Sequence, residues 1–341
     1  VILAYGAPWD NKLGIPGEDK QGVFGSNAFV GWYNCHPDFI GLNPDLNVTA
    51  AAVIGVGNVA VDVARVLVKT PKEMSVTDLA PYAGAAIDAA PIEDIHMFGR
   101  RGPVEAAFTN VELREMGELE NAQPIVNLNH LPEEVIAPHM SDRDLRLRAK
   151  NVATMRSFDA VSAKGKAKRV HFSFFASPVE ILGDERVEGV RMERTKVEDG
   201  RCIPIGETFE VECGLVITCI GSRAEPIDSV PFDDRKGIVI HEEGRVRSGL
   251  YAAGWVKRGA TGTIGTNKND SLAVVDLLVS DLGGAEKDGP AAFDAMAKQR
   301  SLRVVSFSDW QEIARIETAA ASSGAQRKKL VTPQEMLIAL G

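Results

Sequence analysis

The chain has 341 residues, 45% of them apolar, which is length and core material for about two domains. Its formal net charge of −9 argues against non-specific binding to nucleic acid. No run of about 18 uncharged apolar residues occurs, so no membrane span is expected. The four cysteines, Cys35, Cys202, Cys213 and Cys219, form no CxxC pair and have no histidine cluster beside them. That excludes the usual structural zinc pattern and reads as reduced thiols in a cytosolic-type compartment.

"VILAYGA" opens the chain as a short apolar strand closed by Gly6, with Val1 to Ala4 read as buried. Residues 7–47 are rich in Gly, Pro and Asn and carry the aromatic cluster "FVGWYN", which reads as packing. "AAAVIGVGNVAVDVARVLVKT" then changes period, from a continuous apolar run to a helical face holding Val59, Val63, Val66 and Leu67. Residues 71–93 are an Ala-rich, partly helical insertion, and "IEDIHMFGRRGP" is the next strand with its exit loop. "TNVELREMGELEN" reads as a helix with Thr109 as N-cap and Glu112 as its capping-box partner. A helix is expected at 142–156. Strands of one mixed sheet are expected in "KRVHFSFFASPVEILG", "VEGVRMERTKVE" and "ETFEVECGLVITCIG". Beyond 221 come a hairpin-like "GIVIHEEGRV", a strand "GLYAAGWV", a Gly/Thr loop and a helix from about Asp270. Tail helices follow near 290–301, 307–320 and 333–340. "LVITCIGS" at 215–222 echoes the form of "VILAYGA", so residues 7–214 read as one inserted domain.

The most informative stretch is Gly55-x-Gly57-x-x-Ala60 between a strand and a helix, the context a dinucleotide site requires. Gly55 permits the tight turn, Gly57 lets a diphosphate approach the backbone, and Ala60 keeps the helix close to the strand. The helix start, at Asn58 and Val59, then offers free N–H groups and a positive dipole end. The following strand ends in Gly99-Arg100-Arg101 rather than in an acidic residue. Two guanidinium groups suit a 2′-phosphate. At about 1.5–3 kcal/mol per charge-assisted bond they favour NADP(H) over NAD(H) by about two to four orders of magnitude. The 71–93 insertion accounts for the distance between Gly55 and Arg100.

"GNVAVDVARVL", "GRRGPVEAAFTNVELREM", "FVGWYN" and "GLYAAGWVKRGATGTIGTNKNDS" together resemble the adrenodoxin reductase type of ferredoxin–NADP reductase, over residues 1 to about 282. The resemblance implies an α/β fold of two Rossmann-like dinucleotide-binding domains, the NADP domain inserted into the FAD domain. The expected division is 1–8 for the end of a split FAD domain, 9–220 for the NADP(H) domain, and 221–341 for the rest of the FAD domain and the tail. The N-terminal Gly-rich FAD motif of the family is not in this sequence, so "VILAYGA" reads as the last strand of a split, truncated FAD domain. Carried over residue by residue, Arg100, Arg101 and Glu112 line the adenosine end of NADP, and Asn58 and Val59 supply the diphosphate turn. Glu115 looks towards the nicotinamide as the catalytic candidate. Gly254, Trp255 and Gly262-Thr263-Ile264 lie against flavin and nicotinamide.

The implied activity is hydride transfer from NADPH to FAD, then single-electron transfer to a ferredoxin-like iron–sulfur protein. An acidic partner calls for a basic docking site. Residues 143–169 hold nine Arg and Lys against Asp144 and Asp159 alone. A bacterial-type cytoplasmic location is expected, with organellar targeting left open. Two alternatives stand beside this reading: a flavin diaphorase or electron-transfer subunit for another acceptor, and an NADP(H)-binding fragment that is inactive alone.

Overall fold

Ala51, Ala52, Val53 and Ile54 are each 3% exposed or less, as a strand covered on both faces requires. This strand is central to a computed structural model that describes residues 1–138, 140–262, 264–283 and 289–341, with Ile264 described in its backbone only. The chain divides into two compact units. The first comprises Val1–Asn11, Gly221–Ala319 and Gln334–Gly341, and the second Lys12–Ile220 and Ala320–Pro333.

In the second unit the strands are, in chain order, β1 (Val23–Gly25), β2 (Ala50–Ile54), β3 (Asp94–Gly99), β4 (Ala122–Val126), β5 (Lys168–Phe174), β6 (Ala176–Leu182), β7 (Gly189–Glu198), β8 (Arg201–Glu212) and β9 (Leu215–Thr218). Six of them form one parallel sheet in the order β1-β9-β2-β3-β5-β4. The others form a separate antiparallel sheet, β8-β7-β6. One mixed sheet was expected there. The chain breaks at Phe175, whose φ of 57° is left-handed, so the run that reads as a single strand is shared between two sheets. β8 and β9 likewise split what reads as one strand.

The helices that matter for the site are α1 (Ser26–Tyr33), α2 (Asn58–Val68), α3 (Asn110–Glu115) and α4 (Asp142–Ser157). α1 carries "FVGWYN" into the core: Phe29, Trp32 and Tyr33 are buried, and the Phe29 and Trp32 rings lie 5.4 Å apart. α2 buries Ala60, Val61, Val63, Ala64, Leu67 and Val68. Val59 was expected on that face but is 47% exposed, because it stands in the first turn, just past the end of β2. The Ala-rich insertion folds as helices Pro71–Met74 and Pro81–Ala89. Arg327 and Lys329, from the segment 320–333, pair with Asp78 of this unit.

In the first unit Ile2–Leu3 lies parallel to Leu250–Ala252, which also pairs antiparallel with Arg245–Arg247. Among the described residues Ile2–Leu3 has one neighbouring strand. That is why Val1, expected in a buried strand, is 77% exposed and Ile2 41%. "GIVIHEEGRV" turns back on itself at its tip, where Glu242 and Arg245 exchange both backbone bonds at 2.9 and 2.8 Å, while Ile238–Val239 pairs with Phe232–Asp233. The strand read in "GLYAAGWV" ends at Ala252, and Trp255–Arg258 is a helical turn. The long helix, α5 (Ile264–Asp281), starts six residues before the expected Asp270. Helices Pro290–Gln299, Phe307–Ala319 and Pro333–Ala339 complete the described chain. No helix among the described residues is long and apolar enough to cross a membrane.

Candidate functional site

The turn between β2 and α2 is built on two glycines that do different work. Gly55 has φ +139°, and a Cβ there would collide with the carbonyl oxygen of Cys219 at the end of β9. Its N–H bonds the Phe98 carbonyl at 2.9 Å, which ties the turn to β3. Gly57 has an unremarkable φ of −114°, and a Cβ there would meet nothing nearer than Ala107 at 3.9 Å. The space over Gly57 is therefore open and owes nothing to internal packing. Val61 N–H to Gly57 C=O, at 3.1 Å, is the first bond of α2. No side chain caps the helix, so the N–H groups of Asn58, Val59 and Ala60 precede the first intrahelical bond. Asn58 turns its Oδ1 to accept from Thr109 N–H at 2.7 Å, and Ala60 is fully buried.

Beside this turn, Gly99-Arg100-Arg101 leaves the end of β3. The loop is held through its backbone: the Arg100 carbonyl accepts from Thr195 Oγ1 at 2.7 Å and from Cys202 Sγ at 3.0 Å. The Arg101 carbonyl accepts from Phe175 N–H at 3.1 Å. Arg100 is exposed and Arg101 half-buried, and among the described residues neither guanidinium forms an ion pair. Two unneutralised cations, an open glycine and an uncapped helix of 11 residues fit a phosphorylated dinucleotide.

Glu112 and Glu115 are committed elsewhere. Both reach Arg65 of α2, Glu112 at 2.6 Å, and Asp62 completes the cluster from one turn earlier on α2. The Arg65 side chain is only 10% exposed. Burial opposes its charge, but the three carboxylates outweigh burial and hold it more firmly protonated than usual. The cluster locks α3 onto α2. The expected capping box therefore does not form: Thr109 caps α3 without a side-chain bond, because Glu112 is taken by Arg65. Asp62 and Arg65 went unnoticed in the sequence, although their i,i+3 spacing on α2 was there to see.

The basic region 143–169 is less basic at its surface than its composition implies. Arg148 donates to the Ala106 carbonyl and Arg156 to that of Pro132, at 2.6 Å for the latter. Lys166 bonds the carbonyls of Leu119 and Ala122, and Lys168 that of Leu67 at the end of α2. Arg169 forks onto Asp94. Arg143, Arg146, Lys150 and Lys164 are exposed and make no such bond among the described residues; Arg156 is exposed as well, although it makes one. The first three recur at helical spacing on α4, with the exposed Leu147 beside them.

In the first unit, Gly254, Trp255 and Gly262 flank the helical turn that leads towards α5. Gly254 has φ +72°, and its missing Cβ would meet only Asn267 Oδ1, at 3.9 Å. Gly262, at φ +84°, immediately precedes the segment of Thr263, which lies outside the described residues, as does the side chain of Ile264. Trp255 is 37% exposed, with its ring N–H on the Thr261 carbonyl at 3.1 Å. Asp270 anchors the turn: it accepts from Gly254 N–H at 2.9 Å and Lys257 Nζ at 2.7 Å, with Arg258 Nε at 3.5 Å. Burial would raise its pKa, but these donors prevail and hold it below the usual carboxylate range. Asp270 and Lys257 were not singled out from the sequence, since their meeting depends on where α5 begins. Among the described residues no cysteine is in a disulfide, and burial pushes the Cys213 thiol up to about 12.

No family model matches the chain. It is similar to the mitochondrial NADPH:adrenodoxin oxidoreductase of Homo sapiens, at 40% identity over 365 residues, covering 100% of this chain and 74% of that protein. The NADPH-ferredoxin reductase FprA of Mycobacterium leprae is 37% identical over 351 residues, covering 99% of this chain and 76% of the relative. A solved structure of Mycobacterium tuberculosis FprA in complex with NADPH superposes with a TM-score of 0.90 at 37% identity, covering 100% of this chain and 78% of that one.

Proposed function

This chain belongs to the family of adrenodoxin reductases and NADPH-ferredoxin reductases, and we propose from its site that it is an NADPH-dependent flavoprotein oxidoreductase delivering electrons to a ferredoxin-type iron–sulfur protein. It has that family's fold of two dinucleotide-binding domains. The observation that carries the reading is the pairing of the open Gly57 turn with two unpaired arginines at the end of the next strand.

In this reading the N–H groups of Asn58, Val59 and Ala60 bind the diphosphate of NADP(H), and the α2 dipole adds to the attraction. Arg100 and Arg101 take the 2′-phosphate and so select against NAD(H). Glu112 and Glu115 act through Arg65 as positioning groups that fix α3 beside the turn, in place of the direct contacts with adenosine and nicotinamide expected for them. In the first unit the left-handed backbone at Gly254 and Gly262 and the half-exposed Trp255 fit the flavin-facing segment of the family. Thr263 and Ile264 belong to the same segment. FAD, when bound, supplies the conversion from hydride chemistry to single-electron transfer. Asp270 keeps the Gly254 turn in place, and the residues supply no nucleophile, because none is needed.

The split of the chain near residues 11 and 220 supports an NADP(H) domain of 9–220 set within a FAD domain of 1–8 and 221–341. The segment 320–333 is assigned to the NADP(H) unit. The basic stripe Arg143, Arg146 and Lys150 is the proposed docking face for an acidic iron–sulfur protein. A bacterial-type cytoplasmic compartment goes with four cysteines outside any disulfide; the vertebrate relatives are mitochondrial. The test is NADPH-driven reduction of a ferredoxin in the presence of FAD. Turnover with NADPH and little with NADH supports the reading. Reduction of quinones alone would move the chain to the diaphorase class.

A further inference from the structure

Away from the dinucleotide turn, three side chains with metal-binding chemistry converge on one face of the parallel sheet. Asp94 and His96 are two residues apart on β3 and so share a face. His171 of β5 is the ladder partner of His96, and Arg169 that of Asp94. One donor atom from each of Asp94, His96 and His171 lies within 4.8 Å of the other two. His171 Nε2 is already 2.6 Å from Asp94 Oδ1. The two imidazoles stack at 4.7 Å, and the His96 ring forms no hydrogen bond among the described residues. All three side chains are half-buried, so water and ions reach them while the strands hold their backbones fixed.

We propose that Asp94, His96 and His171 form a binding site for a divalent first-row transition ion of the cobalt, nickel and zinc class. Two imidazoles and one carboxylate are the donor set such ions take, whereas calcium and magnesium take oxygen ligands. Ligand bonds of about 2.0–2.1 Å require the donors to close from their present spacing. Side-chain rotation from neighbouring strands achieves this without moving the backbone. Water fills the remaining positions. Arg169 opposes the ion. Its fork donates to both Asp94 oxygens, at 2.6 and 2.5 Å, and brings a positive charge beside the site. Affinity is thereby lowered, and the site is not a structural metal centre on which folding depends.

The experiment is titration of the whole chain with Co²⁺ alone, followed by isothermal calorimetry and by the visible d–d bands that imidazole ligation produces. The expected result is one saturable equivalent, with Ni²⁺ binding more tightly than Co²⁺. His96→Gln and His171→Ala each weaken it at least tenfold, while the exposed His36→Gln leaves it unchanged. Arg169→Gln tightens it several-fold, a gain that loss of folding cannot imitate. Absence of a saturable equivalent, or binding that ignores both His96→Gln and Arg169→Gln, overturns the proposal.

Discussion

Arg65 on α2 and Glu112 on α3 meet at 2.6 Å, with Glu115 and Asp62 on the same guanidinium. One nearly buried cation thus joins α2, whose start is the proposed diphosphate site, to the helix that follows the arginine loop. Arg65→Met strands three half-exposed carboxylates around an apolar side chain. We expect a loss of about 2–3 kcal/mol, less than for fully buried partners, read as a lower urea midpoint at unchanged slope. Glu112→Gln, with Glu115 and Asp62 still present, loses less.

The two glycines of the turn separate folding from binding. Gly55→Ala places a Cβ against the Cys219 carbonyl at a backbone angle that disfavours side chains, and we expect about 2–4 kcal/mol of destabilisation. Gly57→Ala has room and an ordinary φ. Its thermal midpoint stays near that of the parent, while its affinity for NADPH falls at least about tenfold. Calorimetry of both variants checks the pair.

On the proposed assignment, Arg100→Gln and Arg101→Gln each remove one charge-assisted contact to the 2′-phosphate. NADPH affinity falls by about one to two orders of magnitude per substitution, and NADH affinity stays as it was. Equal losses for the two nucleotides would place these arginines outside the phosphate site.

Asp270 ties the Gly254 turn to α5 and has a depressed pKa. A carboxylate held below its unfolded value of 3.8 adds stability that is present above that pH and is lost as pH falls through the folded value. Asp270→Asn leaves Lys257 and Arg258 without their counter-charge and costs about 3 kcal/mol at neutral pH. The gap between variant and parent should close below about pH 4. A gap that stays constant down to pH 3 would contradict the pairing.

Neutralising Arg143, Arg146 and Lys150 together to Gln should slow the bimolecular reduction of a ferredoxin several-fold at low ionic strength and have little effect at high salt. Lys168→Gln should act on stability alone, since its ammonium is spent on the Leu67 carbonyl. Stopped-flow rates across a salt series distinguish the two.

The β2–turn–α2 unit was legible in the sequence because its constraints are local: a glycine that must turn, a glycine that must stay bare, an alanine that must fit. α4 was expected at 142–156 and forms at Asp142–Ser157, with the Ser141 side chain, not foreseen as its cap, accepting from Asp144 N–H. What escaped depends on partners distant in sequence. Glu112 reads as a cap for Thr109 until Arg65, 47 residues earlier, claims it. Five of the nine cations in 143–169 are absorbed by carbonyls or by Asp94, which composition cannot reveal. Phe175 gives no hint of its left-handed backbone, so the change from one sheet to another was missed.

The most direct measurement is the flavin absorbance of the purified chain supplied with FAD, followed anaerobically as NADPH and then NADH are added. The expected result is a bound-flavin band that NADPH bleaches and equimolar NADH leaves largely intact. A bound flavin that stays oxidised in NADPH, or that both nucleotides bleach equally, would contradict it.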